Sequence, residues 1–278
     1  MKRVYGIIGW PVWHTRSPAM HNAAFEAKAM DAVYVPFGVR PSRLSEALHG
    51  MRALGIRGVN VTLPHKRNVV ELLDEVDDDA TAIGAVNTIT FTGNKSIGSN
   101  TDAEGLVCAM AEHGFKAKGS QIVVVGSGGA ARAAVAGFAD AGAKKISVIA
   151  RSEAKATKLI EELEPFAKKT DLEAFPLKKV PKRPYKEANL LVQATSATLD
   201  DGPAASKFAA SLALGDLHKS ALVTDVVYAP ALTTVLRAAK KLGLQTADGY
   251  EMLLHQGAIA WEKWTKKKAP IKAMREAL

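Results

Sequence analysis

Ser120-Gln121-Ile122-Val123-Val124-Val125-Gly126-Ser127-Gly128-Gly129-Ala130-Ala131-Arg132 is the stretch from which the fold is read. Its first half is a continuous apolar run without alternation, as expected of a strand buried on both faces of a parallel sheet. The run stops at glycine and passes at once into an alanine-rich stretch that reads as a helix to about Ala141, with Gly142 as its C-cap. A second strand follows over Lys145-Ile146-Ser147-Val148-Ile149-Ala150, and a second helix through Leu163. Strand, glycine turn, helix and strand make a βαβ unit of the mononucleotide-binding kind. Within Gly126-x-Gly128-x-x-Ala131, Gly126 permits a tight turn, Gly128 lets the backbone approach a pyrophosphate, and Ala131 allows close helix–strand packing. The helix N-terminus adds unpaired N–H groups and partial positive charge, with Ser127, Gly129 and Ala130 completing the loop. Without the flanking strand and helix, the same glycines would be read as a turn with no ligand.

Coenzyme choice is read at the end of the second strand, where NAD-binding units place an acid against the ribose hydroxyls. Here the residues are Ala150-Arg151-Ser152. A guanidinium pairs with a 2′-phosphate that an acid would repel, so NADP is expected. Lys155, one helical turn on, is a second candidate cation, although a solvated surface lysine reads the same way.

Outward from this unit the α/β rhythm continues. Upstream, strands are expected at about 3–9, 33–39, 58–62, 87–92 and 95–99, and helices at about 18–30, 42–54, 65–73, 77–84 and 103–113. Downstream, strands fit near 189–193 and 222–227, and helices near 231–242 and within 249–277; residues 165–187 and 198–219 resist assignment. With 278 residues the chain is long enough for two modest domains, and a composition 47% hydrophobic and 23% charged is that of a folded protein. The formal charge of +9 is dispersed apart from short runs such as Lys266-Lys267-Lys268, so solvated faces are expected and no nucleic-acid partner. Cys108 is a single cysteine and the seven histidines lack paired spacing, so neither a disulfide nor a metal is expected. The N-terminal apolar stretch is too short for a signal segment, which makes a cytoplasmic location without membrane association the expectation. Nothing in the sequence separates monomer from homodimer.

Three polar clusters follow upstream strands. Asn60-Val61-Thr62-Leu63-Pro64-His65-Lys66 places Lys66 in the expected first turn of a helix, the wrong end for a cation. Gly84-Ala85-Val86-Asn87-Thr88 is the second, and Asn100-Thr101-Asp102 the third, with Asp102 equally readable as an ordinary N-cap. In order and spacing these segments, together with Thr15-Arg16-Ser17-Pro18, the glycine loop, Asp225-Val226-Val227-Tyr228 and Met252-Leu253-x-x-Gln256-Gly257-Ala258, resemble the shikimate dehydrogenase family over nearly the whole chain.

The resemblance implies a two-domain α/β fold: a discontinuous substrate domain, 1–102 plus 240–278, completed by C-terminal helices, and a Rossmann-type NADP domain over 103–239. It implies reversible NADPH-dependent reduction of 3-dehydroshikimate to shikimate, a step of chorismate and aromatic amino-acid biosynthesis. Carried over by position, Lys66 and Asp102 form the reacting pair, with Lys66 the candidate acid/base. Thr15 and Ser17 hold the substrate carboxylate, and Thr62, Asn87, Tyr228 and Gln256 complete the pocket. Val226 and Gly249 join Gly126 to Ala131, Ala150 to Ser152 and Lys155 on the coenzyme side. Asp78 falls at a family position near the cofactor but reads as a solvated helix start, and His14 and His65 adjoin site positions without a role of their own.

The match departs at several points. Thr15 stands for the usual serine, which opens a quinate/shikimate dehydrogenase with broader substrate or NAD use as an alternative; a non-catalytic metabolite-binding homologue is a further one. Ala150 and Ser152 stand for Asn and Thr, and Ala229 for Asn. The nicotinamide-side motif N-A-T-S-x-G-M reads Gln193-Ala194-Thr195-Ser196-Ala197-Thr198-Leu199, without its asparagine and its glycine.

Overall fold

The structure, a computed structural model, describes residues 2–278; Met1, the first residue of the expected 1–102 segment, lies outside the described residues. The chain divides into two compact units, one running to Gly105 and resuming as Leu253–Leu278, the other Leu106–Met252.

Along the first unit come β1 (Arg3–Gly9), α1 (Ser17–Ala27), β2 (Ala32–Gly38), α2 (Leu44–Ala53), β3 (Gly58–Val61), β4 (Glu75–Val76), α3 (Asp78–Ile83), β5 (Thr88–Thr92), β6 (Lys95–Ser99) and the start of α4 (Asp102–Glu112). The sheet order is β2-β1-β3-β5-β6-β4. β1 runs parallel to β2 and β3, while β5 is antiparallel to β3 and β6. Gly93 turns the β5–β6 hairpin at φ 58°, a backbone that glycine adopts without strain. This mixed order puts the carboxyl ends of β1, β3 and β6 and the amino end of β5 on one edge, with Asn60 opposite Thr88 and Thr88 opposite Ser99. Both faces are covered, because side chains alternate along each strand. Tyr5 and Ile7 of β1 join Phe25, Tyr34 and Trp261 in one core, and Ile8 joins Leu48, Val61 and Ile89 in the other.

Residues 65–73, expected to be helical, form turns and a single 3-10 turn, Val70–Leu72. The Lys66 carbonyl accepts from the Val86 amide at 2.8 Å, so it is committed to a tertiary partner rather than to a helix ladder. Lys66 is therefore not in the first turn of a helix.

The second unit contains β7 (Gln121–Val125), α5 (Gly129–Asp140), β8 (Lys145–Ala150), α6 (Glu153–Leu163), β9 (Asp171–Pro176), α7 (Lys182–Glu187), β10 (Leu190–Gln193), α8 (Pro203–Ser211), β11 (Leu222–Asp225), α9 (Thr234–Lys241) and β12 (Gln245–Ala247). All six strands are parallel, in the order β12-β11-β10-β7-β8-β9. The direction of winding reverses between β7 and β10, and ligands of such sheets bind at the carboxyl ends beside that switch. Within the stretches that resisted assignment lie β9, α7 and α8. On β9 the charges of Asp171 and Glu173 pair with Lys145 and Arg183, which masks any apolar pattern.

The last helices are α10 (Tyr250–Thr265) and α11 (Ile271–Glu276). The expected boundary at 240 falls inside α9, and β12 pairs with β11, so the second unit continues through Met252. A three-residue strand carries too little periodicity to be seen in sequence. Among the described residues no helix is long and apolar enough to cross a membrane.

Candidate active site

On the first unit, the strand ends at the shared edge carry the polar clusters. Lys66 follows β3, Asn87 precedes β5, and Asp102 opens α4 after β6. Lys66 Nζ donates to Asp102 Oδ2 at 2.6 Å, with the Asp102 side chain almost fully buried and that of Lys66 18% exposed. Asn87 Nδ2 donates to Asp102 Oδ1 at 2.8 Å, to Thr101 Oγ1 at 3.0 Å and more distantly to Gln256 Oε1 at 3.4 Å. Each carboxylate oxygen of Asp102 therefore has its own donor, and an ammonium with three protons keeps two for a ligand.

Behind these groups lies a layer to which the sequence assigned no role. Tyr34 donates its hydroxyl to Asn60 Oδ1 at 2.7 Å, and Asn60 Nδ2 donates to Thr88 Oγ1 at 3.1 Å. Thr88 Oγ1 and the Thr101 amide in turn donate to Asn87 Oδ1, which fixes the amide flip that points Nδ2 at Asp102. Asn100 Oδ1 accepts from the Asp102 amide at 3.0 Å, capping the start of α4. The available signal was polar residues inside buried strand ends, such as Asn60 between Val59 and Val61.

Other expected substrate residues lie on the same unit. Thr15 Oγ1 accepts from the Ser17 amide at 3.2 Å and donates to Ser17 Oγ at 3.1 Å, pairing the two hydroxyls at the start of α1. Thr62 packs on the β1 terminus, where a Cβ on Gly9 would meet its Cγ2 at 2.4 Å. Gln256 of α10 sits over Gly105, where a Cβ would come within 2.7 Å of the Gln256 amide nitrogen. His65 is fully buried and donates from Nε2 to the Val39 carbonyl, a structural use, and His14 is exposed. Asp78 is exposed in the first turn of α3, where Asp77 caps the Ala80 amide at 2.9 Å.

The second unit carries the other expected positions. Gly126 has φ 131°, which L side chains rarely adopt, and a Cβ there would lie 2.9 Å from the Ala194 carbonyl oxygen. Gly128 is the extended N-cap of α5 with no side chain to cap it; Ser127 precedes it, and Gly129, Ala130 and Ala131 open the helix. The first-turn amides of α5 consequently have no side-chain acceptor and suit a pyrophosphate. Ala150 ends β8; Arg151 and Lys155 are exposed, and neither makes an ion pair among the described residues; Ser152 is the N-cap of α6. These features fit a phosphorylated dinucleotide. Gly249 lets the backbone pass Val226, whose carbonyl oxygen would be 2.8 Å from a Cβ, and the ring of Tyr228 lies 5.7 Å from that of Tyr250.

Asp225, at the end of β11, is fully buried and accepts from Gln193 Nε2, the Val227 amide and Thr233 Oγ1 at 3.0, 3.0 and 2.7 Å. Burial pushes its carboxyl above the usual range, against the pull of these donors.

Comparison with known proteins matches three family models along the chain: the shikimate dehydrogenase substrate binding domain over residues 7–89, shikimate/quinate 5-dehydrogenase over 109–200, and the shikimate 5′-dehydrogenase C-terminal domain over 249–278. Shikimate dehydrogenase (NADP(+)) of Symbiobacterium thermophilum is 41% identical over 276 residues, spanning 99% of this chain and 93% of that protein. The crystal structure of shikimate dehydrogenase from Aquifex aeolicus superposes with a TM-score of 0.89 at 33% identity, covering 99% of this chain and 97% of its own. Shikimate 5-dehydrogenase of Thermus thermophilus, solved with NADP(H) and shikimate, gives 0.85 at 34% identity, covering 99% and 98%. With strand order, polar network and full-length identity in agreement, the chain belongs to the shikimate dehydrogenase family.

Proposed function

We propose that the chain is an NADP-dependent shikimate dehydrogenase, reversibly reducing the ketone of 3-dehydroshikimate to the hydroxyl of shikimate. The observation that carries this reading is the Lys66–Asp102 pair, held at 2.6 Å by the Asn87 network on the same edge that offers the Thr15 and Ser17 hydroxyls. When bound, NADPH supplies the hydride. The protein must then supply a proton to the ketone oxygen as negative charge develops on it. Lys66 has free N–H donors for that oxygen, and Asp102 holds the ammonium in place while its own second oxygen is tied to Asn87. In the reverse direction the Lys66 amine receives the hydroxyl proton.

Thr15 and Ser17 bind the substrate carboxylate through hydroxyls already oriented by each other, and Thr62, Asn87, Gln256 and Tyr228 contact the ring hydroxyls. Arg151, exposed and without an ion pair among the described residues, binds the 2′-phosphate, with Lys155 adding charge nearby; Val226 and Gly249 line the nicotinamide end. The lone Cys108 fits a cytoplasmic setting, and the enzyme works as a monomer or homodimer on small-molecule partners.

The test is a four-way assay of reduced-nicotinamide absorbance, offering shikimate or quinate with NADP or NAD. Selective reduction of NADP by shikimate is expected. Preference for quinate or NAD would move the protein to the sister activity, with Thr15 and Ala150 the residues to exchange. Silence in all four would refute the enzyme reading.

A further inference from the structure

Two departures from the family motif after β10 touch each other. Gln193, standing where the motif has asparagine, donates from Nε2 to Thr198 Oγ1 at 2.9 Å, and Thr198 stands where the motif has glycine. The same nitrogen reaches Asp225 Oδ1 and the Thr195 carbonyl at 3.0 Å each, while Gln193 Oε1 accepts from the Thr195 amide at 2.6 Å. Gln193 and Thr198 both have 0% exposure, so no water offsets a lost partner. The extra methylene of glutamine carries its amide about 1.5 Å further than asparagine would, which is what brings it onto the added hydroxyl. The backbone permits a side chain at 198: it closes one 3-10 turn, Ser196–Thr198, and Ala29 and Lys266 are the positive-φ non-glycines among the described residues. The loop also abuts the phosphate turn, since a Cβ on Gly126 would meet the Ala194 carbonyl oxygen at 2.9 Å and Thr195 Cγ2 at 3.1 Å.

We propose that Gln193 and Thr198 form one coupled pair of positioning residues that, anchored on Asp225, sets the loop over residues 194–199 against the Gly126 turn and thereby tunes coenzyme affinity. The inference rests on the reading that this sheet edge takes NADP. Gln193 Nε2 shares its two protons among Thr198 Oγ1, Asp225 Oδ1 and the Thr195 carbonyl, so asparagine at 193 retracts from Thr198 and Asp225, and glycine at 198 removes the hydroxyl that braces the Gln193 amide. With both changed, the hydrogen bond between the two side chains is lost only once, so the two losses are not additive.

A double-mutant cycle of Gln193→Asn, Thr198→Gly and the double variant tests this, read as NADP affinity by calorimetry, as kcat and KM, and as the thermal unfolding midpoint. Each single change is expected to weaken NADP binding by about 5- to 50-fold, and the double to lose clearly less than the two single losses combined, with kcat nearly constant throughout. Additive losses in the double variant would overturn the coupling. Coupling seen in unfolding but with NADP affinity unmoved would overturn the positioning role and leave a purely structural pair. Wild-type protein that binds no NADP would overturn the coenzyme reading and this role with it, and the unfolding cycle, which needs no coenzyme, separates that failure from loss of coupling.

Discussion

Lys66 uses one of three N–H donors on Asp102, and its replacement by methionine keeps an unbranched stem one atom shorter while removing all three. Turnover of Lys66→Met is expected to fall by about 10²- to 10⁴-fold, the usual contribution of a positioned acid/base. Shikimate affinity, measured by calorimetry, should change by less than about tenfold, because the carboxylate and hydroxyl contacts remain. Undiminished turnover would remove Lys66 from the chemistry. A second residue-scale prediction concerns coenzyme choice. Arg151→Ala should raise KM for NADP by about 10- to 100-fold, the worth of a charge-assisted hydrogen bond or two, and leave KM for NAD nearly unchanged. Equal losses with both coenzymes would assign Arg151 to general packing. Both residues are legible in the sequence, Arg151 because it directly follows β8 and Lys66 because it closes a recognisable motif that begins in β3. Asn60, Thr88 and Thr101 are less so, since nothing local to them shows that their side chains converge on Asn87.

At the scale of elements, α4 and α10 approach where Gly105 faces Gln256. An alanine methyl there would lie 2.7 Å from the Gln256 amide nitrogen and 2.8 Å from its Cβ. Helix propensity alone would favour Gly105→Ala by about 1 kcal/mol. Overpacking against backbone costs about 1–3 kcal/mol, so packing should win and the unfolding midpoint should drop. KM for shikimate should rise with it, because Gln256 moves. A more stable variant with unchanged KM would show that α10 yields freely. The misread stretch 65–73 follows the same logic: its spacing suits a helix, but the Lys66 carbonyl is taken by Val86 of another segment, and a tertiary bond replaces the ladder.

For the whole molecule, the buried ionisable groups set the response to pH. His21 is fully buried, its ring stacked 4.3 Å from Tyr34 and tilted 5.4 Å from Trp264, and burial lowers its pKa from 6.5 to about 3. The unfolded chain thus binds a proton that the folded one refuses between those values. Stability from this group is complete above pH 6.5 and is lost as pH falls toward 3, at no more than about 1.4 kcal/mol per pH unit. His21→Phe, which keeps an aromatic ring, should lose stability more slowly on acidification. Urea midpoints taken from neutral pH down to about pH 4 would check this, and parallel curves for the two proteins would count against the assignment.

What the sequence determined by itself was everything governed by short range: the apolar run and glycine turn of the βαβ unit, the helix start at Asp77, the guanidinium after β8, and the order of the polar clusters. These depend on side-chain periodicity and on backbone sterics within a few residues. The tertiary structure alone decided the mixed strand order of the first unit, the place of β12, and the partners of each polar group. Lys66 and Asp102 are 36 residues apart in the chain and Asn87 and Gln256 169 apart, so their meeting depends on how sheets and helices pack rather than on any local preference. The same holds for Gln193 and Thr198, which read as two losses in the motif and become one hydrogen-bonded pair once β11 brings Asp225 beside them.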